Sequence, residues 1–228
     1  MQNKAQELWH QSYEAEIIVR RKTSFPFLNF KSGMVVLDIG CGLGYDLEYL
    51  AEQFGVEGYG ADLVVPKGLR KVNFVLADAS HLPFKENTFN VVYSFGSIEH
   101  TRRTFECILE SYRVLTCGGN VLHTVPNVFS IHSLFARPFL KGIGKWRIGL
   151  EQSFTLAVFH KMFRRSYFDN IRYLISPFEI DVRSKQFSTL FRIPIRVLKF
   201  SDNVLSKLIP FWGFFIAMSG AKLRDEKD

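Results

Sequence analysis

The chain has 228 residues, 47% of them hydrophobic, which is enough to bury a sizeable core. Its three cysteines are an odd number without the paired spacing of a zinc site, so the composition argues against a disulfide framework and favours a reducing, cytoplasmic setting. No signal-type segment opens the sequence, and the longest apolar run, Leu208–Met218, is too short to span a bilayer, so we expect a soluble protein.

The formal charge of +7 is unevenly distributed along the chain. Residues 1–136 carry 12 Lys+Arg and 14 Asp+Glu, a net charge of −2, whereas residues 137–228 carry 17 and 8, a net charge of +9. A basic surface of this kind either attracts an anionic partner or is simply a solvated face, and the charge count leaves both interpretations open.

Short apolar runs alternate with helical patterns between residues 35 and 125. This alternation predicts βαβ units in a doubly wound, mostly parallel sheet with helices on both faces. The predicted strands are Val35–Ile39, Val56–Ala61, Asn73–Ala77, Phe89–Phe95 and Asn120–Val125, and the predicted helices are Tyr45–Phe54 and Thr104–Leu115, the latter ended by Gly118 and Gly119.

Gly40, Gly42 and Gly44 follow the first predicted strand at alternate positions. Glycine at this turn lets the backbone approach a ligand and adopt positive φ, although three glycines can also serve only to make a tight turn. The dinucleotide pattern GxGxxG would place its third glycine at position 45, which is Tyr45 here, so a dehydrogenase is disfavoured.

Four segments in this order resemble the class I S-adenosylmethionine-dependent methyltransferases, and specifically their type 11 group. The resemblance implies a Rossmann-like seven-stranded sheet whose last strand, expected near Phe211–Ser219, is antiparallel, with a helical lid inserted after the fifth strand. The four segments are LDIGCGLG at 37–44, GYGADL at 58–63, ADASHLPFKENTFNVVYSFGSIEH at 77–100 and RVLTCGGNVLHTVPN at 113–127.

The resemblance also implies how S-adenosylmethionine, and its product S-adenosylhomocysteine, would be held. Asp38 would help to position the methionine end, Asp62 would accept bonds from both ribose hydroxyls, and Asp78 would take the adenine amino group. The cofactor-binding set predicted in this way is Asp38, Gly40, Cys41, Gly42, Gly44, Asp62, Leu63, Asp78, Ala79, Ser94 and Phe95.

Glu99 and His100 follow the fourth predicted strand and face the substrate in relatives. Methyl transfer is an in-line displacement that needs alignment and, for an oxygen nucleophile, a base. His100 is the candidate base, with Glu99 beside it, and a structural role for His100 is equally open. Some relatives hold a divalent metal with Glu-x-x-Glu-His, but Gly96 occupies the first of those positions, so no metal is predicted.

The lid, residues 127–170, is expected to select the substrate. Tyr13 of the N-terminal segment, Asn127, His132, Trp146 and Arg147 are the predicted substrate-binding residues, and Arg137, Lys141 and Lys145 are further candidates. Ser153 or Thr155 is a candidate helix cap, and the spacing of Leu156, Phe159, His160 and Phe163 favours a helix whose aromatics are core.

A basic amphipathic segment lies between Ser184 and Pro210. It can cover the sheet edge or lie on a membrane near a lipid-linked substrate, and packing against its own domain is favoured because Pro194 and Pro210 limit any helix.

We therefore predict a single methyltransferase domain, residues 1–228. Its parts are an N-terminal helical segment (1–32), a cofactor-binding core (33–126), the lid (127–170) and C-terminal strands with a basic helical segment (171–228). The predicted reaction transfers a methyl group to an O or N of a small or carrier-linked, possibly anionic, acceptor. The alternatives are an RNA-modifying methyltransferase, suggested by the basic half but lacking an RNA-binding motif, and a non-catalytic cofactor-binding partner domain.

Overall fold

A computed structural model describes residues 25–65, 68–69, 72–146, 149–176 and 195–223. Most of these residues surround one seven-stranded sheet of strand order β3-β2-β1-β4-β5-β7-β6. The strands are β1 Val35–Ile39, β2 Glu57–Asp62, β3 Asn73–Leu76, β4 Phe89–Phe95, β5 Leu115–Pro126, β6 Asp169–Ser176 and β7 Phe215–Ala221.

Strands β1 to β5 pair in parallel, whereas β7 runs antiparallel to both of its neighbours, β5 and β6. The order reverses direction between β1 and β4, which is where an open α/β sheet leaves a crevice for a ligand at the carboxyl ends of its strands. This architecture confirms the predicted fold, including the antiparallel last strand.

The helices are α1 Tyr45–Phe54, α2 Thr104–Val114, α3 Arg137–Gly142, α4 Leu156–Arg165 and α5 Ile195–Leu208. Short 3-10 turns cover Phe25–Phe27 and Ile98–His100, and a π-helical turn, His132–Ala136, leads into α3. Among the described residues, none of the helices is both long enough and apolar enough to cross a bilayer.

Two hydrophobic clusters lie on opposite faces of the sheet. One packs Ile108 of α2 and Phe159 and Phe163 of α4 against the strands, and the other packs Leu47 and Leu50 of α1. The near-continuous burial of β1 and β4 follows from this cover on both sides. The aromatics of α4 are core, as predicted, and Thr155 caps the helix by accepting a hydrogen bond from the Val158 N–H.

The fifth strand begins earlier than the sequence indicates. Helix α2 ends at Val114 and β5 starts at once at Leu115, so Gly118 and Gly119 lie inside the strand and do not separate it from the helix. The pairing with β4 is irregular here, and a Cβ at Gly119 would come within 2.9 Å of the Asn90 carbonyl oxygen. The two glycines therefore allow a bulge in the strand, which a glycine pair in a sequence does not distinguish from a turn.

The last strand begins later than predicted, at Phe215 instead of Phe211. The side-chain amide of Asn127 donates hydrogen bonds to the carbonyl oxygens of Phe211 (2.8 Å) and Gly213 (2.9 Å). The Asn127 side chain, at the start of the lid, therefore occupies the carbonyl oxygens of Phe211 and Gly213. The backbone begins to pair with the sheet only at Phe215.

Candidate functional site

The loop between β1 and α1 has a backbone that requires glycine. Gly40, Gly42 and Gly44 have φ values of 77°, 51° and 79°, in the left-handed region that side chains disfavour. A Cβ at Gly40 would also lie 2.1 Å from the Ser97 Oγ atom, which belongs to the loop after β4. The glycine loop therefore sits directly against the loop of the neighbouring strand, at the carboxyl edge of the sheet.

Asp62, the last residue of β2, is hydrogen-bonded to this loop. Its Oδ2 atom accepts a bond from the Gly42 N–H (3.0 Å), and Oδ1 accepts one from the Val64 N–H (3.3 Å). The carboxylate is half-buried, and the apolar side chains that follow it, Leu63, Val64 and Val65, are exposed. The site thus combines a carboxylate, a glycine backbone without side chains and an adjacent apolar surface. The carboxylate suits the polar sugar of a nucleoside, and the apolar surface suits its planar base.

Asp38 and Cys41 lie beneath the loop. Both side chains are buried, and the Cys41 thiol packs so closely on β2 that a Cβ at Gly60 would lie 2.5 Å from its sulfur. Burial, reinforced by the nearby Asp38 and Asp62 carboxylates, raises the pKa of the Cys41 thiol far above its usual range. Cys41 thus supports the loop from below as a neutral thiol and is not a nucleophile.

Asp78 and Ala79 lie in the turn after β3. The Ser80 backbone N–H and hydroxyl both donate to Asp78 Oδ1 at 2.8 Å, and these bonds hold the pKa of the carboxyl below its ordinary value. Asp78 is exposed, so its second oxygen is accessible from solvent.

Two charged residues of α2 hold the segment that follows this turn. Arg113 donates to the carbonyl oxygens of Leu82 (2.9 Å) and Phe84 (2.8 Å), and Glu110 accepts from the Leu82 N–H (2.8 Å). The two side chains also pair with each other, at 2.7 Å between Arg113 Nε and Glu110 Oε1. The sequence analysis did not single out this clamp, although its i, i+3 spacing on a helix was a detectable signal.

Ser94 and Phe95 end β4, and their side chains are buried. Phe95 packs on Phe25 and Tyr93, so only its backbone faces the site. The chain then turns at Gly96, whose N–H donates to the Thr124 hydroxyl at 3.1 Å. The backbone carbonyls of both residues lie where β4 ends, at the carboxyl edge of the sheet.

Glu99 and His100 lie in the 3-10 turn after this glycine. Glu99 is fully buried, and His100 is partly exposed. The Leu150 carbonyl lies 2.6 Å from His100 Nδ1, so Nδ1 carries the proton and donates it, and Nε2 keeps its lone pair in the neutral ring. Nε2 lies 3.8 Å from Glu99 Oε1. A general base needs a free lone pair of this kind.

The lid adds a third carboxylate, Glu151, which the sequence analysis did not select. It is buried, and its Oε2 atom lies 3.4 Å from His132 Nε2 and 3.8 Å from the Arg137 guanidinium. Glu151 follows Leu150, the residue that fixes the His100 ring. His132 itself is buried between Trp146 and Phe214. The lid is joined to the Glu99–His100 turn by the Leu150 carbonyl and by the Gln152 N–H, which donates to the Glu99 carbonyl at 3.1 Å.

Glu99, His100 and Glu151 each offer an atom within 4.8 Å of the other two, a group of side chains that can hold a metal ion. His132 already directs a ring nitrogen to Glu151 and Arg137 a positive charge, which is the role that a cation would otherwise fill. The absence of a metal stays a prediction.

The remaining substrate candidates differ in their surroundings. The Asn127 amide bonds to backbone groups of the protein, and its bonds to Phe211 and Gly213 fasten the start of the lid. Trp146 donates from Nε1 to the Gly149 carbonyl (2.8 Å) and stacks on His132. Tyr13 and Arg147 lie outside the described residues.

This sheet order and the glycine loop opposite Asp62 define a Rossmann-like methyltransferase fold. A chain of a Haloferax volcanii complex between a methyltransferase activator and a methyltransferase superposes with a TM-score of 0.67 at 17% identity, covering 97% of this chain and 95% of that one. Phosphoethanolamine N-methyltransferase 2 of Haemonchus contortus, in complex with phosphomonomethylethanolamine and S-adenosylhomocysteine, gives 0.62 at 20% identity, covering 95% and 53%.

Residues 37–123 match the family model described as a methyltransferase domain. Phosphoethanolamine N-methyltransferase 3 of Arabidopsis thaliana is 37% identical over 107 residues, which are 42% of this chain and 22% of the relative. The chloroplastic tocopherol O-methyltransferase of the same plant is 34% identical over 99 residues, which are 38% and 28%. The chain thus spans about a quarter of the length of these two relatives.

Proposed function

We propose that the protein is an S-adenosylmethionine-dependent methyltransferase that acts on an O or N atom of a small or carrier-linked acceptor. The observation that carries this proposal is the Asp62 carboxylate held against the Gly42 N–H at the switch point of the sheet. Ligands of open α/β sheets bind at this point, and the family match includes both residues.

The residues around the loop suit the parts of this cofactor. Asp62 presents two acceptor oxygens to a vicinal diol, and the exposed Leu63 provides an apolar surface for a flat base. Asp78, kept ionised by its bonds from Ser80, is suited to accept from an exocyclic amine. The Asp38 carboxylate and the backbone carbonyls of Ser94 and Phe95 suit an ammonium group.

S-adenosylmethionine supplies a methyl group on a positively charged sulfur, which leaves as a neutral thioether, so the chain needs to align the acceptor and take its proton. His100 Nε2 takes that proton, because Nδ1 is fixed as a donor to Leu150. The imidazolium formed in this way lies next to the buried Glu99 carboxylate, which stabilises its charge. The relatives are named for both N and O acceptors, so both atoms remain within the proposal.

Calorimetric titration with S-adenosylmethionine, S-adenosylhomocysteine and NAD tests the cofactor. We expect the two adenosyl compounds to bind and NAD not to bind. Asp62→Ala should weaken binding by about 1.5–3 kcal/mol. Glu57→Ala is the matched control, since Glu57 is an exposed carboxylate at the other end of β2. No binding of either adenosyl compound, or equal binding of NAD, would overturn the proposal.

Catalysis is tested separately by following transfer of a labelled methyl group to amines, phenols, phosphoethanolamine and RNA. Transfer to a small acceptor supports the proposal, whereas transfer to RNA alone supports a nucleic-acid-modifying enzyme. Cofactor binding without transfer to any of them would favour the non-catalytic partner domain.

A further inference from the structure

Helix α5 has one apolar face that the described residues leave exposed. Val197, Phe200, Val204 and Leu208 recur at spacings of three and four residues, which places them on one side of the helix. All four are exposed, with Phe200 at 70% and Leu208 at 71% of full accessibility. We call these four residues the apolar stripe.

An exposed stripe of this kind is unusual for a helix that packs on its own domain. A surface helix normally turns its apolar side to the core and its polar side to water. The sequence favoured such packing for this segment, but the structure leaves the stripe uncovered by the described residues. Contiguous exposed apolar surface of this sort marks an interaction site.

Positive charge lies beside the stripe. Arg196 and Lys207 are both exposed, and at 3.6 residues per turn they fall on the same flank of the stripe. The helix sequence contains three basic residues, Arg196, Lys199 and Lys207, against one acidic residue, Asp202. The stripe therefore has a cationic border.

The stripe leads toward the carboxyl edge of the sheet. Directly after α5, Ile209 and Phe211 are also exposed, and the Phe211 carbonyl is bonded to Asn127 at the start of the lid. The Gly213 N–H donates to the carbonyl of Phe129, another exposed aromatic residue. The apolar surface thus continues from α5 to the rim of the candidate site.

We propose that α5 docks in the interface of a membrane with anionic lipids. The helix has 14 residues, or about 21 Å of length, which is too short to cross the hydrocarbon core but suits a helix lying flat. The apolar stripe enters the boundary between headgroups and acyl chains, while Arg196 and Lys207 contact the anionic headgroups. This position brings the lid and the carboxyl edge of the sheet to the membrane surface.

The cationic border is what favours a lipid surface over a protein partner or a second copy of the chain. A self-complementary contact through α5 would bring Arg196 and Lys207 of two copies close together, where like charges repel. An anionic bilayer instead neutralises Arg196 and Lys207 together and accepts the stripe without needing a matching shape.

Vesicle co-sedimentation tests the proposal with the full chain. We expect binding to vesicles that contain phosphatidylglycerol and weak binding to phosphatidylcholine alone. The double variant Phe200→Ser with Leu208→Ser should reduce partitioning by at least about tenfold, and Arg196→Gln with Lys207→Gln should remove the preference for anionic vesicles. Leu76→Ser is the control for Leu208→Ser, because Leu76 is also an exposed leucine, at 61%, but lies on β3 at the opposite end of the sheet.

Circular dichroism and cofactor titration establish that each variant is folded. Failure of the wild-type chain to sediment with either vesicle overturns the proposal, and so does unchanged sedimentation of the stripe variant. Light scattering measures the oligomeric state of each variant. If the wild type is an oligomer that does not bind vesicles, and the stripe variant dissociates it, the stripe serves self-association and the proposal is also overturned.

Discussion

The carboxylate of Asp62 accepts a hydrogen bond from the backbone N–H of Gly42 across 20 residues of sequence, at 3.0 Å. The bond ties the end of β2 to the glycine loop, so one carboxylate both braces the loop and faces the candidate cofactor site. A residue with both functions affects the stability of the protein as well as its affinity for ligand.

Asp62→Ala should therefore lower the free energy of unfolding of the ligand-free protein by about 1 kcal/mol, the net contribution of one such bond. Asp62→Asn keeps an oxygen that can accept from Gly42, so it should retain most of that stability while losing affinity for S-adenosylmethionine. Urea denaturation and calorimetry of the two variants measure both quantities. If both variants unfold like the wild type, the bond to Gly42 does not stabilise the loop.

Gly40→Ala should destabilise the protein through two separable effects. The residue has a φ of 77°, and its Cβ would come 2.1 Å from Ser97 Oγ. Ser97→Gly removes the clash and leaves the backbone strain, so the double variant should recover part of the loss, by about 1 kcal/mol or more. The free energies of unfolding of the two single variants, the double variant and the wild type, measured by urea denaturation, give the double-mutant cycle. Strict additivity would show that the two loops do not touch in solution.

His100→Gln should lower the rate of methyl transfer by about 10²-fold or more with little change in cofactor affinity, if Nε2 is the base. His100 is partly exposed and is not part of the hydrophobic core, so the variant should fold normally. His160→Gln, on the solvent side of α4, is the control. For the wild type and both variants, the rate of methyl transfer is measured as a function of pH, and calorimetry measures the affinity for the cofactor. A near-normal rate in the variant would leave His100 only the structural contact with Leu150.

We expect His123 to make the free energy of unfolding depend on pH. It is fully buried on β5, and burial lowers its pKa from 6.5 to about 3. Its Nε2 lies 3.0 Å from the Ser111 hydroxyl, which itself donates to the Cys107 carbonyl, so the neutral ring donates to Ser111.

The unfolded chain binds a proton at His123 below pH 6.5, whereas the folded chain does not until about pH 3. The stabilising effect is therefore complete above pH 6.5 and is lost as the pH falls, at on the order of 1 kcal/mol per pH unit. Denaturation between pH 7.5 and 5 should show a shallower loss for His123→Phe than for the wild type, with His160→Gln unchanged. Parallel curves for the wild type and His123→Phe would contradict this.

Much of the fold could be predicted because its signals are local. β1, β4 and α1 begin and end where the apolar patterns do, since both faces of the strands are covered and Gly44 and Gly55 flank the helix. The spacing from the glycines to Asp62 likewise lies within one βαβ unit, so a short stretch of sequence contains it.

The rest depends on contacts between distant residues. The bulge at Gly119 arises where Asn90 approaches it, and the late start of β7 arises from Asn127, more than 80 residues away. Glu151 reaches the candidate site only through the path of the lid. Lys222 is another example, because its ammonium group is buried against Asn87 and two backbone carbonyls, which no local pattern indicates.

The position of β7 has a consequence for how the chain assembles during synthesis. It is the last described strand in the sequence, yet it lies between β5 and β6 and is the strand that joins them. Until residues 215–221 leave the ribosome, β5 presents an open edge and β6 has no partner in the sheet, and such edges invite aggregation. The nascent protein therefore completes its sheet late, by inserting β7 between β5 and β6.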